Sequence, residues 1–136
     1  KFLEKYKNSP YREEVLTTLG DLYLKQDDYT SAENIYQRYL SNHPDADQRD
    51  QVLAQLTKIY EETNQHSKQI ETLKKLVNNH PDSSRYEYSL FQIIRSYASL
   101  NQEEKRDQWV DRYKNEFPDG EYQSRINVLV NSENDS

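Results

Sequence analysis

Apolar residues return along this chain in threes, and each three occupies one side of a helix. Leu16, Leu19 and Tyr23 stand at i, i+3 and i+7, as do Leu53, Leu56 and Tyr60 and then Leu90, Ile93 and Tyr97, the spacing that lines one face of an α-helix. The three sets lie 37 residues apart. A second amphipathic stretch follows each, through Ile35, Tyr36, Tyr39 and Leu40, through Leu73, Leu76 and Val77, and through Trp109, Val110 and Tyr113. The pattern predicts a helix A at about 11–25, 48–62 and 85–99 and a helix B at about 29–41, 66–78 and 103–116.

The polar positions punctuate the same period. Asp27, Asn64 and Asn101 fall between A and B, and these residue types tolerate the left-handed backbone of a helix-ending turn. Asn42-His43-Pro44-Asp45 recurs as Asn79-His80-Pro81-Asp82, and Phe117-Pro118-Asp119 takes the same place once more. Proline disfavours helical geometry in the residue before it, and the Asp or Ser that follows suits a new helix start. In the first unit Lys7 occupies the proline slot, with Ser9 and Pro10 keeping the turn chemistry. The expected organisation is one array over 1–130: a half-repeat at 1–6, repeats at about 7–43, 44–80 and 81–117, and a capping helix at about 120–130. The polar residues 131–136 are expected to be disordered.

Composition narrows the function. With 33% hydrophobic and 31% charged residues the core must be thin, and two glycines in 136 residues argue against a sheet-rich fold. A net charge of −6 without a basic block disfavours nucleic acid, whose affinity comes largely from Lys and Arg on phosphates. No apolar run reaches the length of a membrane span, so no direct membrane insertion is expected of this fragment. The absence of cysteine excludes disulfides and thiolate metal sites. The chain begins without Met inside the helical "KFLEKY", which reads as an excised or processed piece.

Candidate chemistry is sparse. His43 and His80 stand beside Asp45 and Asp82, but Tyr6 and Phe117 fill the equivalent slot, so an aromatic packing role is expected rather than a metal site, which needs several converging ligands. Neither a glycine-rich phosphate loop, a nucleophile elbow nor a zinc-binding His-Glu pair is present. No enzymatic activity and no cofactor are expected. Most of the twelve tyrosines fall on the internal stripes and read as core.

Leu16, Leu19-Gly20, Tyr23, Ala32, Tyr36 and Pro44 give the first unit its resemblance to the tetratricopeptide repeat. Later units depart from that pattern: Thr57 and Ile94 replace the glycine, and Gln69 and Arg106 replace the alanine, so looser or rearranged packing of A on B is expected there. The resemblance implies an all-α fold, an α-α superhelix in the form of a right-handed solenoid of about three helix-turn-helix repeats with flanking half-repeats. It also implies a non-catalytic scaffold or adaptor that binds a peptide or protein. The 37-residue period and its aromatic-Pro-Asp punctuation are similar to repeats of bacterial envelope proteins such as the Tol-Pal coordinator and the outer-membrane assembly lipoprotein. That similarity implies a periplasmic or envelope-associated setting, with the cytoplasm as the alternative.

The family binds partners on the face of helix A opposite the core stripe. Here that face is Glu14, Thr17 and Asp21, then Gln51, Ala54 and Lys58, then Tyr88, Phe91 and Arg95. Chaperone adaptors of the family grip a terminal carboxylate through Lys and Asn, and Thr17 and Asp21 at the matching positions disfavour that partner class. Aromatic residues plus Arg have the composition of a binding hot spot. The expectation is a groove between the second and third repeats anchored by Phe91, with Phe91→Ala leaving the fold nearly intact. Two other readings stand beside it: Tyr88 and Phe91 pack against a neighbouring repeat, or the apolar Ile126, Leu129 and Val130 support a homo-oligomer. A substrate-recruiting module of a larger enzyme is a third.

Overall fold

The computed structural model describes residues 10–134, and these form seven α-helices with no strand among the described residues. They fall into two compact units, 10–65 and 66–134. The preceding half-repeat, with Phe2, Tyr6 and Lys7, lies outside the described residues.

The first unit holds α1 (Pro10–Lys25), α2 (Tyr29–Asn42) and α3 (Arg49–Glu62). Its core gathers Leu16 from α1, Ala32, Tyr36 and Tyr39 from α2, and Val52, Leu56, Ile59 and Tyr60 from α3, with Tyr23 partly buried against them. Gly20 lets α2 approach α1, because a Cβ there would overlap the ring of Tyr36. The side chain of Asp28 caps α2 by accepting from the Ser31 N–H at 3.2 Å, which satisfies one of the otherwise unpaired first-turn donors. Arg49 Nη1 donates to the carbonyls of Leu40 at 2.7 Å and His43 at 2.9 Å. One side chain at the start of α3 therefore serves the last carbonyls of α2, which lack partners in the helix.

The second unit holds α4 (His66–Asn79), α5 (Tyr86–Ser99), α6 (Glu103–Glu116) and α7 (Gln123–Asn134). Here α5 packs on α4, α6 and α7. Leu90, Ile93, Ile94 and Tyr113 are fully or nearly fully buried, as is Ile126 from α7. The last helix runs past the expected limit at 130 to Asn134, so residues 131–134, expected to be disordered, are helical; 135–136 lie outside the described residues.

One turn recurs. Asp27, Asn64 and Asn101 have φ of 58°, 57° and 57°, and Asp28, Gln65 and Gln102 donate their N–H to Tyr23, Tyr60 and Tyr97 carbonyls at 2.9, 2.8 and 3.0 Å. This is the left-handed helix stop in which the residue beyond the turn reaches back five positions. The small-residue positions behave differently between the units. Ile94, in the register of Gly20, is wholly buried, and Val110, in the register of Tyr36, is buried as well. A larger residue on A is matched by a smaller one on B, so total volume is kept, as close packing requires. Gln69 and Arg106, where the first unit has Ala32, are also buried, and Arg106 turns its guanidinium onto Asp107 at 2.8 to 2.9 Å. The packing is rearranged rather than loose.

Candidate functional site

Helical periodicity sets the candidate face. In α1, α3 and α5 the core stripe occupies one side, and residues offset from it by one or two positions turn outward. Glu14, Asp21, Gln51 and Lys58 are exposed, while Thr17, Ala54 and Arg95 are partly exposed. Tyr88 is 39% exposed. Phe91 departs from this group, being only 3% exposed.

In the first unit Glu14 and Thr17 border a groove of about 350 Å³ completed by Glu13, Tyr39, Asp47 and Gln48. Asp21 lies in a second groove of about 500 Å³ with Thr18, Leu22, Leu24, Lys25 and Gln55. Leu22, half exposed there, was not among the residues singled out from the sequence. Asp21 has a structural commitment too: its Oδ1 accepts from the Tyr36 hydroxyl at 2.5 Å and from Gln55 Nε2 at 3.4 Å. Burial, with the Asp21 hydrogen bond behind it, raises the Tyr36 pKa above the ordinary tyrosine value.

In the second unit Phe91 is covered by Tyr122, whose ring stacks on it at 4.9 Å and 10°. Tyr88 leans on both rings, at 6.1 Å from Phe91 and 5.5 Å from Tyr122. Two guanidiniums flank the trio: Arg95 lies 5.5 Å from the Phe91 ring, and Arg125 lies 5.9 Å from Phe91 and 5.7 Å from Tyr122. Phe91 is therefore part of the packing between α5 and the turn leading into α7. The sequence signal missed was Tyr122, since its register equivalents Gln48 and Arg85 are polar.

The histidine slot is an aromatic packing position. His43 lies 5.6 Å from Tyr39, and Phe117, its register equivalent, lies 5.4 Å from Tyr113. His43 Nδ1 stands 3.5 Å from Glu13 Oε1, and no cluster of three metal-ligating side chains occurs among the described residues. No helix among the described residues is long and apolar enough to cross a membrane. Tyrosine hydroxyls instead tie helices together. Tyr113 donates to Glu87 Oε2 at 2.7 Å and accepts from the Tyr122 N–H at 2.9 Å, and burial, then Glu87, pushes its pKa up to about 12.

Comparison with known proteins agrees with this geometry. Residues 14–46 and 51–83 each match the tetratricopeptide repeat family. A solved structure of a tetratricopeptide repeat protein from Parabacteroides merdae ATCC 43184 superposes with a TM-score of 0.74 at 18% identity, over 93% of this chain and 47% of that one. The chain thus spans about half the length of that protein. No curated protein matches the chain. Two stretches of the chain thus resemble tetratricopeptide repeats, and its all-α fold is that of the solved repeat structure.

Proposed function

We propose that this chain is a non-catalytic interaction scaffold that holds a peptide or protein segment on the outward faces of its A helices, α1, α3 and α5. The observation that carries the reading is positional. Eight of the nine residues Glu14, Thr17, Asp21, Gln51, Ala54, Lys58, Tyr88, Phe91 and Arg95, all but Phe91, keep exposed surface beside a buried stripe. A setting in a bacterial envelope complex is supported by the 37-residue period and its aromatic-Pro-Asp punctuation.

Affinity capture from envelope and from soluble extracts tests both parts. The chain is compared with a Lys58→Glu, Arg95→Glu variant on the A faces and with a Glu71→Ala, Lys75→Ala variant on exposed positions of α4. A protein held by the chain and the α4 variant but lost from the A-face variant is the expected result, enriched from the envelope fraction. Equal recovery with all three removes the A faces as the site, and enrichment from the soluble fraction removes the envelope setting.

A further inference from the structure

We propose that the face shared by α5 and α7 in the second unit takes a segment of a partner protein in which an acidic side chain neighbours an apolar one. The inference rests on the scaffold reading above and deepens it by naming what docks.

Four side chains define the face. On α7, Val128 follows Arg125 by three residues and so shares its side of the helix; Val128 is 66% exposed. In the 37-residue register Arg125 stands where α5 has Tyr88, and Val128 where α5 has Phe91. Val128 is exposed, whereas Phe91, its register equivalent on α5, is roofed by Tyr122. Tyr88 completes the face beside Tyr122, and its hydroxyl makes no hydrogen bond among the described residues.

The charge of the occupant follows from Arg125. Its guanidinium carbon lies 5.9 Å from the centre of the Phe91 ring and 5.7 Å from that of Tyr122, a contact that engages none of its N–H donors in a hydrogen bond. It forms no ion pair among the described residues. Of the acidic groups nearby, Glu87 is occupied, accepting from the Tyr113 hydroxyl and from the Glu121 N–H at 3.0 Å. Glu121 is exposed, in the turn before α7. A solvent-facing guanidinium suits a bidentate carboxylate. The chain as a whole carries −6, but at roughly 0.1 M salt a surface charge is felt over only about 10 Å, so the local guanidinium decides what docks.

The test uses three synthetic pools of short peptides. Leu, Phe and Tyr vary at random in all three, and the remaining positions are all Glu, all Gln or all Lys. Retention is measured on the full chain and on its Arg125→Glu, Val128→Ser and Lys75→Glu variants. The Glu pool should be retained about tenfold better than the Gln pool. Arg125→Glu should abolish that preference, Val128→Ser should weaken retention of Glu and Gln pools alike, and Lys75→Glu, exposed on α4, should leave both unchanged. Circular dichroism melts show that the exposed substitutions keep the fold. Equal retention of Glu and Gln pools, or preference for the Lys pool, overturns the acidic assignment while leaving the scaffold reading intact. Equal loss through Lys75→Glu and Arg125→Glu reduces the effect to overall charge and overturns this proposal alone. Retention of no pool overturns the proposal, and the scaffold reading then stands or falls on the capture experiment.

Discussion

The ring of Tyr36 lies against the bare Cα of Gly20: a Cβ added there would approach Tyr36 Cδ1 and Cζ to 2.8 Å. Tyr36 is wholly buried and its hydroxyl is tied to Asp21, so the ring has little room to retreat. Two effects oppose each other in Gly20→Ala. Helix propensity favours alanine by about 1 kcal/mol, while overpacking a buried contact costs about 1–3 kcal/mol. The expected outcome is a net loss, on the order of 1 kcal/mol, measured as a lower denaturant midpoint. A double-mutant cycle with Tyr36→Val should show favourable coupling. A raised midpoint in the single variant would mean that the ring yields.

Phe91→Ala should destabilise the second unit by about 3–5 kcal/mol, since Phe91 is buried under Tyr122 and flanked by Arg95 and Arg125. This reverses the sequence expectation of a nearly intact fold. Thermal unfolding followed by circular dichroism checks it, and an unchanged melt would contradict the burial.

The left-handed residue at 101 gives a graded test. Asn101 has φ of 57°, a conformation that costs most residues about 1–2 kcal/mol. Asn101→Val should lower stability by roughly that amount, and Asn101→Gly should hold it level or raise it slightly. The ranking Gly, Asn, Val in urea midpoint is the outcome expected, and a stable valine variant would rule out the turn.

Alkaline pH should unfold this chain earlier than its neutral stability suggests. The Tyr113 pKa is raised from 10.0 to about 12 by burial and Glu87, and Tyr36 and Tyr86 shift in the same direction. Above pH 10 the unfolded chain releases these protons while the folded chain retains them, so the unfolded state binds fewer and stability falls with rising pH. The loss from Tyr113 begins near pH 10 and is complete above about 12. Urea midpoints across this range should decline less steeply for Tyr113→Phe than for the parent chain. Parallel slopes would take Tyr113 out of the titration.

The six helices expected at the A and B positions lie within one residue of their expected limits, because period, proline and left-handed turn residues all mark the same boundaries. Asp27, Asn64 and Asn101 were readable for the same reason: their chemistry acts within a few residues of chain. Phe91 was not. Its surroundings are made by Tyr122, a residue in the next turn with no aromatic counterpart in the earlier repeats, and periodicity describes only what repeats. Leu22 escaped for a related reason, since the core-stripe rule assigns outward apolar residues no role. Gln69 and Arg106 were readable as departures but not as buried ones, because only the packed neighbours decide whether a long polar side chain is enclosed.

The A-to-B turns at Asp27 and Asn101 are alike in backbone, but the helix pairs they join are not alike in volume. Recombination between repeats at such a turn would preserve the bend and still mismatch the packing. Joining the helix of Gly20 to that of Val110 would leave a void, and joining the helix of Ile94 to that of Tyr36 would force an overlap. Crossovers at the proline turns keep each A helix with its own B helix and avoid both faults. Gene duplication and exchange in this chain would therefore be tolerated in whole hairpins, inherited from one proline to the next.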